Sequence, residues 1–569
     1  MPVSADETFV PAARSILDGM LERCPELATE LGDHRHDDRL TVGTAAYYDE
    51  AARWYGDRLG DLRAIGLDRL SPQNRVDAQI LANRLELIRF GIDELRDHEW
   101  NPLGANPGRA IYLLLARDFA PVTERLRCVA RRLAAIPGAL AAARDVAGPM
   151  PAIHLQTALT QFAGTVHLIG AELDHAMARA TAADGRAGAH AGAEVTASRP
   201  AALEAIAEHR RWLRRRLADA ERDGGGRDPR IGAEHFARKL RLTLDAESDA
   251  GEIVARAESD LERVTGEITE TAARLAGPGR HRSGDLVRHV LDSLATDAPD
   301  NSTILGLVWR AFAQQLDFVR GHDLVTTYDD DPVQVIEMPE IDRGIAVAYC
   351  DPPGPLEPVA GPTFVAVSPT PREWPRARAD SFYREYNRHM VQELMIHEGM
   401  PGHVLQLQHA RRFNADTPVR TALRSGSFVE GWAVYSERLM VTRGYPGEGN
   451  PDALRMQQLK MQLRMIMNAI LDARVHCDGM TRTAAMDLMT GRGHQEEGEA
   501  AGKWRRALLT SAQLSTYYVG FTEVSDLAAA LRRAHPQWPE RKLHDTMLAH
   551  GSPAVRHLRT LLPKAAAAS

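Results

Sequence analysis

The residues best suited to chemistry in this chain are His397, Glu398 and His403, which lie within seven consecutive positions. Neutral imidazole is a common zinc ligand, and a carboxylate beside a ligand can act as a general base towards water. The pattern therefore predicts a metal-dependent hydrolase. The alternative at this point is two unrelated histidines near the end of a helix, because a short motif needs a structural context to confirm it.

The spacing of the two histidines constrains the backbone between them. Zinc-peptidase helices usually place two histidines four residues apart on one face, whereas His397 and His403 are six positions apart. Six positions of an unbroken helix rotate by about 240°, which would point the rings apart. Pro401 and Gly402 lie between them, and proline bends a helix while glycine accepts unusual dihedral angles. We therefore expect a helix that is interrupted between the two histidines.

A second helix, predicted over residues 428–439, offers further carboxylates. Glu430 and Glu437 are seven positions apart, which is about two turns, so they share a face. Glu430 lies in an apolar, aromatic segment and is a natural third ligand, which leaves a fourth position for water. Glu437 has two equally weighted interpretations: a solvated surface residue, or a partner that holds a ligand histidine in place.

The two segments together resemble domain-of-unknown-function family 885, which carries His-Glu-x-x-Pro-Gly-His followed by Glu-Gly-Trp-Ala. That family looks distantly similar to helical zinc oligopeptidases and thermostable carboxypeptidases, whose motif has two fewer residues between its histidines. The resemblance implies zinc held by His397, His403 and Glu430, with Glu398 as general base. It extends over most of the chain and is weakest between residues 179 and 230.

Candidate residues for stabilising a tetrahedral oxyanion lie further along the chain. Tyr517 is the first choice, with His476 as a second catalytic candidate and Tyr518 as a substrate-binding one. Tyr517 and Tyr518 fall in a stretch similar to the family's Gln-x-x-x-Tyr-x-x-Gly. The alternative for both tyrosines is helix packing with the hydroxyl hydrogen-bonded elsewhere.

Arg464 lies in a predicted helix that is rich in Met and Leu, so its charge needs a partner. A structural pairing with Asp472 or Glu437 is favoured. The other interpretation is a bidentate contact with a substrate carboxylate. Gln513 is assigned no more than a hydrogen-bonding role on a helix.

Composition limits the class of protein. The 569 residues include 69 Lys and Arg against 77 Asp and Glu, a formal charge of −8 that argues against nucleic acid as the main partner. The sequence has no apolar run long enough to span a membrane and no signal-peptide pattern, so neither a membrane nor secretion is expected. Four widely spaced cysteines favour reduced thiols and a cytoplasmic setting: Cys24, Cys128, Cys350 and Cys477.

The elements that must position these residues are mostly helices. Apolar residues recur at three- and four-residue spacing over residues 8–31, 45–65, 72–98, 120–146 and 232–276. Short β-branched runs at 333–337, 345–349 and 363–367 predict a small antiparallel sheet within residues 332–368, just before the metal helix. Such a sheet edge could bind an extended peptide or simply close the cleft, and both interpretations stay open.

The predicted fold is mainly α, with a large helical two-lobed cleft and this small sheet. We divide the chain into an N-terminal helical region (1–182), a loop-rich linker (183–230) and a metal-site region (231–569); one continuous catalytic domain is the alternative. The expected function is zinc-dependent cleavage of a peptide or small amide bond. A biosynthetic amidase or lyase and a non-catalytic helical binding protein are the alternatives. Imidazole and carboxylate also accept other divalent transition metals, so the sequence does not select one metal. It predicts neither endo- nor exo-cleavage, and no oligomeric state.

Overall fold

A computed structural model describes residues 4–222, 226–277, 286–338, 348–359, 361–371 and 374–562. The described chain is mainly α-helical with one small sheet, which confirms the predicted fold class. It forms two compact units. The first comprises Met1–Ile231, Pro353–Gly361 and Asp416–Ala422, and the second comprises Gly232–Pro352, Pro362–Ala415 and Leu423–Ser569.

The first unit is built from helices whose apolar faces pack together. Ser4 and Ser71 cap two of them by accepting hydrogen bonds from backbone N–H groups of the first turn. Its helices are α1 (Ala5–Arg23), α2 (Pro25–Leu31), α3 (Ala45–Ile65), α4 (Pro72–Phe90), α5 (Asp97–Trp100), α6 (Gly108–Ala116), α7 (Val122–Asp145), α8 (Ala152–His167), α9 (Leu173–Asp184), α10 (Arg186–Arg222) and, from the later return, α18 (Val419–Ala422). Short 3-10 or π turns occupy His34–His36, Leu67–Arg69, Gly91–Leu95, Pro102–Ala105 and Leu168–Glu172.

The predicted loop-rich linker at 183–230 is wrong. Most of it is α10, which packs along α7, α8 and α9. The small residues that suggested a loop serve close packing instead. A Cβ on Gly188 would lie 2.0 Å from the carbonyl oxygen of Ala180, so only glycine lets α10 approach α9 this closely. Alanine is moreover the best helix former, which outweighs the scarcity of large apolar residues.

The second unit carries the candidate site. Its helices are α11 (Ala233–Leu244), α12 (Ala250–Ala276), α13 (Leu286–Leu294), α14 (Ile304–Gly321), α15 (Arg376–Glu385), α16 (Arg388–Glu398), α17 (His403–Arg412), α19 (Gly426–Thr442), α20 (Pro451–Cys477), α21 (Arg482–Met486), α22 (Glu497–Leu509), α23 (Ser515–Ala534), α24 (Glu540–Leu548) and α25 (Val555–Leu561), with a π turn at Asp487–Arg492. Helix α20 is buried on nearly every side and contacts α12, α16, α19 and α23. No helix in the described part of the chain has both the length and the apolar character needed to cross a membrane.

The sheet contains three described strands, β1 (Val333–Glu337), β2 (Ala348–Asp351) and β3 (Thr363–Val367), in the order β1-β3-β2. Strand β3 pairs antiparallel with β2 but parallel with β1, so the sheet is mixed and the predicted all-antiparallel sheet is wrong. A parallel pair needs a long connection, and the chain between β1 and β3 supplies one. The predicted strand at 345–349 overlaps β2 at its last two residues, and 345–347 lie outside the described residues.

Candidate metal centre

The interruption predicted between the histidines is present. Helix α16, capped by Asn387, ends at Glu398, and α17 begins at His403. The Gly402 N–H donates to the carbonyl oxygen of Ile396 at 3.0 Å, which makes the turn tight. A Cβ on Gly402 would lie 1.9 Å from the carbonyl oxygen of His397, so the turn requires glycine.

Helix α19 fixes this turn from the side. The indole Nε1–H of Trp432 donates to the carbonyl oxygen of Pro401 at 2.8 Å, and the Ser436 hydroxyl donates to the same oxygen at 3.4 Å. Both side chains are buried, so the contact is shielded from water. The helix that carries Glu430 therefore also sets the position of the two histidines.

The two histidine rings meet at Glu430. Their centroids are 4.7 Å apart and the rings are nearly perpendicular, at 84°. Glu430 Oε2 lies 3.4 Å from His397 Nε2 and 3.6 Å from His403 Nε2. The structure thus brings together the three residues that the sequence singled out as metal ligands.

The opposite nitrogen of His397 is held by Glu437. His397 Nδ1 lies 2.7 Å from Glu437 Oε1, and because a carboxylate only accepts, Nδ1 carries the proton. Glu437 is 1 % exposed, so of its two predicted roles the structure shows the one in which it holds a histidine. Metal binding requires a neutral ring, and with the proton on Nδ1 that ring has its lone pair on Nε2, directed at the site.

Buried acids around the histidines alter one another's protonation. Burial alone would lower the pKa of His397, but its contacts with Glu430 and Glu437 outweigh burial and raise that pKa well above its usual value. Burial opposes ionisation of Glu430, yet the two histidines hold its pKa well below the ordinary range. Glu393 is fully buried beside Glu437, and burial followed by repulsion from that carboxylate raises the pKa of Glu393 well above normal.

The donor set fits a divalent transition metal. Glu430 Oε2 is buried and makes no hydrogen bond within the described residues. With bonds of about 2.0–2.1 Å, two ligand atoms of a tetrahedral zinc ion lie about 3.3 Å apart, close to the separations of Glu430 Oε2 from the two Nε2 atoms. Two imidazoles and one carboxylate also match the ligand chemistry of a catalytic zinc site.

Glu398 lies beside this group rather than within it. Its carboxylate and the two histidines place one ligand atom each within 4.8 Å of one another, so it is an alternative third ligand. However, Glu398 Oε2 accepts a hydrogen bond from the Cys350 N–H of β2 at 2.9 Å. Glu430, whose free oxygen lies near both Nε2 atoms, is the better ligand. The sheet therefore orients Glu398 and leaves its other oxygen available for a proton.

A cavity of about 210 Å³ adjoins the site and is lined by both His397 and Glu398. Tyr517 lines it too, as the prediction for an oxyanion donor requires. The Tyr517 oxygen lies 3.4 Å from Arg506 Nη2, which donates to it and leaves the phenol proton free for another acceptor.

Two of the other predicted site residues lie away from this cavity. His476 Nε2 lies 3.0 and 2.9 Å from two backbone carbonyl oxygens, of Ala507 and Thr510, so it donates within the core. The Tyr518 hydroxyl donates to Asp260 at 2.8 Å. Adjacent helix positions point about 100° apart, so Tyr517 and Tyr518 cannot face the same space. The predicted roles of His476 in catalysis and Tyr518 in substrate binding are therefore corrected.

Arg464 lines the cavity, but its predicted partners are wrong. It forms an ion pair with Glu499 of α22, and it lies close to Tyr386, whose pKa is raised to about 12, mainly by burial. Asp472 instead accepts hydrogen bonds from Ser515 and from the backbone of Ala512.

Sequence reasoning missed two basic residues of the cavity, Lys503 and Arg506. A signal was present, because Glu499, Lys503 and Arg506 are spaced four and three apart and so share one face of α22. Gln513, predicted only as a hydrogen-bonding residue on a helix, lies just before α23, accepts two hydrogen bonds from Arg506 and holds its guanidinium.

The fold and the site define a mainly helical protein with an interrupted His-Glu…His motif and a carboxylate on a neighbouring helix. The chain belongs to the family described as "Bacterial protein of unknown function (DUF885)", whose model matches residues 25–562. No curated protein matches the chain.

Two solved structures are similar over nearly their whole length. One is a candidate lipoprotein of unknown function from Shewanella oneidensis, 28% identical, with a TM-score of 0.82, covering 97% of this chain and 99% of that one. The other is a candidate lipoprotein from Colwellia psychrerythraea, 15% identical, with a TM-score of 0.79, covering 98% and 99%. The second likeness, at this identity, concerns the fold alone.

Proposed function

We propose that this protein is a metal-dependent hydrolase, with zinc as the simplest metal, that cleaves a peptide or small amide bond. The observation that supports the proposal is the convergence of His397 Nε2, His403 Nε2 and Glu430 Oε2, an oxygen that makes no hydrogen bond within the described residues. Three protein ligands with a neighbouring carboxylate are the arrangement that hydrolytic zinc sites use.

The residues around the ligands have defined tasks in this proposal. A bound metal would supply Lewis acidity towards a carbonyl oxygen and would make water more acidic. Glu398, held by the Cys350 N–H through one oxygen, accepts a proton from water on the other and returns it to the leaving amine. The Tyr517 hydroxyl donates a hydrogen bond to the developing oxyanion, a contribution of typically about 100- to 1000-fold in rate.

The first experiment measures metal in the purified protein. We expect close to one equivalent of a divalent transition metal in the wild type and strongly reduced metal in His403→Ala. A wild type that neither contains nor binds zinc, manganese, cobalt or iron would contradict the proposal.

The second experiment tests the chemistry with a panel of short peptides. Glu398→Gln should keep the metal and lose about 100- to 10,000-fold in turnover, because it retains shape but cannot accept a proton. An unaltered turnover in a folded, metal-loaded Glu398→Gln variant would exclude Glu398 as the base.

A second candidate is an amidase or lyase acting on a specialised small molecule. The cavity volume of about 210 Å³ favours it, since pockets for drug-sized ligands usually measure about 300–1,000 Å³. Metal binding without cleavage of any peptide in the panel would shift the assignment to this candidate. If the protein is a non-catalytic helical binding protein, Glu398→Gln should retain the fold and leave every activity unaltered.

The cellular location is also a proposal. The reduced, separated cysteines favour the cytoplasm, whereas both similar structures are of candidate lipoproteins, which suggests a lipid anchor in those proteins. Fractionation of the native host, followed by immunoblotting, distinguishes the two: recovery in the soluble cytoplasmic fraction supports the first setting, and recovery with membranes supports the second.

A further inference from the structure

The cavity beside the candidate metal centre has a basic side. Helix α22 contributes Lys503 and Arg506, and α20 contributes Arg464. The carboxylates Glu398 and Glu437 of the candidate metal centre also line the cavity. The rest of the lining is largely apolar and includes Met390, Leu394, Val434, Met461 and Met465. A small space with concentrated positive charge and apolar walls suits a ligand that carries both an anionic group and an apolar side chain.

Lys503 is the least explained residue in this cavity. Its side chain is buried, with 6 % of the residue exposed, yet it makes no hydrogen bond or ion pair with any described residue. Burying a charged amine is costly, because the charge loses its hydration, and the attraction of Glu499 offsets only part of that cost. Burial, followed by repulsion from Arg464, lowers the pKa of Lys503 well below its usual value.

The nearby acid Glu499 attracts Lys503 but does not balance all the positive charge on this side of the cavity. Glu499 is already paired with Arg464, and no carboxylate oxygen of the described chain lies within 4.0 Å of the Lys503 amine or the Arg506 guanidinium. Three basic side chains thus share one acid on this side of the cavity. An anion entering the cavity would restore the balance of charge.

The guanidinium of Arg506 is already held in a fixed orientation by a neighbouring side chain. Its Nε and Nη2 atoms donate to Gln513 Oε1 at 3.0 and 2.7 Å, which fixes the plane of the guanidinium. A fixed guanidinium gives up less conformational entropy when it binds an oxyanion. Because Lys503 and Arg506 are three positions apart on one helix, they present their donors to the same space.

We propose that Lys503 and Arg506 form a receptor for a free carboxylate of the substrate. This inference rests on the proposed function and makes it more specific: the scissile amide belongs to an amino acid whose own carboxylate is free, as in the last residue of a peptide or in an N-acyl amino acid. The protein then cleaves from the carboxyl end, and the apolar lining favours an apolar side chain on that amino acid.

A binding measurement on the metal-free protein tests the receptor without relying on catalysis. Isothermal calorimetry compares N-acetyl-L-leucine with N-acetyl-L-leucinamide, which differ only in the carboxylate. We expect the acid to bind at least tenfold more tightly than the amide. Lys503→Met should remove most of that difference, while Lys542→Met, which changes an exposed lysine of α24, should leave it intact.

Folding of the variant is checked by its thermal midpoint. Lys503→Met removes a buried amine, so the thermal midpoint of the variant should equal or exceed that of the wild type. If the midpoint of Lys503→Met is lower, Arg506→Gln is used instead to compare binding of the acid and the amide. Equal binding of the acid and the amide by the wild type would overturn the inference.

A kinetic comparison separates this inference from the proposed function. The zinc-loaded protein should cleave peptides with a free terminal carboxylate at least 100-fold better, in kcat/KM, than the same peptides with a terminal amide. Equal cleavage of both would overturn the receptor and leave the hydrolase standing. Selective binding of the acid without cleavage of either would support the receptor and count against the hydrolase.

Discussion

At the scale of single residues, Glu437 controls how His397 presents its second nitrogen. A buried carboxylate on Nδ1 fixes both the ring orientation and the tautomer, and it makes Nε2 a stronger donor to a cation. Glu393 stands behind it, and its raised pKa favours a protonated acid that adds no second negative charge next to Glu437.

We expect Glu437→Gln to lower zinc affinity by about 10- to 100-fold, because an amide accepts a weaker hydrogen bond and can place the wrong tautomer on His397. Competition with a chromophoric chelator measures the affinity. Glu258→Gln, which changes an exposed acid, serves as the matched control. Identical affinities for Glu437→Gln and the wild type would show that the contact does not tune the site.

The residues that sequence reasoning found are those set by short motifs and local spacing. His397, Glu398 and Glu430 follow from motif and periodicity, and the structure places them together. For Glu437 the sequence left a surface role and a role in holding a histidine equally open, because local spacing does not show whether a residue is buried between helices. Lys503 was missed and His476 was misplaced for the same reason: which face of a helix borders the cavity depends on how the helices pack.

At the scale of elements, the site depends on a close crossing of α19 and α23. A Cβ on Gly431 would lie 2.3 Å from the Gly520 carbonyl carbon, and one on Gly520 would lie 1.9 Å from the Ser427 carbonyl oxygen. The glycines of Glu-Gly-Trp-Ala and of Gln-x-x-x-Tyr-x-x-Gly therefore contact each other. This contact sets the distance between the helix that carries Glu430 and the helix that carries Tyr517.

Gly431→Ala should force these helices apart and destabilise the protein by about 1–3 kcal/mol, the usual cost of overpacking. It should also weaken zinc binding, because Glu430 is the preceding residue. Gly426→Ala on the same helix is the control, since its nearest neighbour is a Thr516 methyl carbon at 3.7 Å. Urea unfolding of both variants provides the comparison, and equal stabilities would contradict the account.

Helix α24 is anchored through His544, which is fully buried. Nδ1 donates to the Leu324 carbonyl oxygen at 2.7 Å, and Nε2 accepts from the Tyr435 hydroxyl at 2.9 Å. Burial lowers the pKa of His544 to about 4 from an ordinary 6.5. Between these values the unfolded chain binds more protons than the folded one, so stability falls as the pH falls.

The contribution of His544 is complete above about pH 6.5, and roughly 3 kcal/mol is lost by about pH 4. His544→Gln, which can keep both hydrogen bonds, should flatten the decline in unfolding midpoint across this window in metal-free protein. His190→Gln, at an exposed position, should keep the wild-type slope. An unchanged slope in His544→Gln would assign the pH dependence to other groups.

Helices were easier to predict from the sequence than the sheet. Regular spacing of apolar residues identified α3 and α7 almost to their ends, whereas the single helical pattern predicted over residues 232–276 is two helices, α11 and α12. Strand positions were visible as β-branched runs, but strand direction was not, because the pairing of β1 with β3 depends on a long connection. Helix α10 was missed since its small residues pack closely rather than cover a large apolar face.

At the scale of the whole molecule, each of the two compact units is formed from three segments that alternate along the sequence. Arg420, from the returning segment Asp416–Ala422, pairs with Asp77 of α4 at 2.5 Å, and both side chains are fully buried. The Thr417 hydroxyl donates to the other oxygen of Asp77 at 2.6 Å. Burial raises the pKa of Asp77 while Arg420 opposes that rise.

Arg420→Met should destabilise the first unit by about 3–5 kcal/mol, because it leaves Asp77 buried without a charged partner. Arg109→Met, which breaks an exposed pair with Glu30, should cost no more than about 1 kcal/mol. Calorimetric unfolding of both variants measures the difference, and adding Asp77→Asn should recover part of the loss. Similar small effects in both variants would show that the buried pair is dispensable.

The late return of Asp416–Ala422 also bears on how the polypeptide matures on the ribosome. Nascent chains released at Ile231 would contain Asp77 but not the arginine that neutralises it. We therefore expect the first unit to remain incompletely folded until residues up to Ala422 have been synthesised. The histidine motif has been translated by then. Expression of a fragment that ends at Ile231 should consequently yield aggregated protein. A fragment that ends at Ala422 contains all the segments of the first unit and should yield less aggregate.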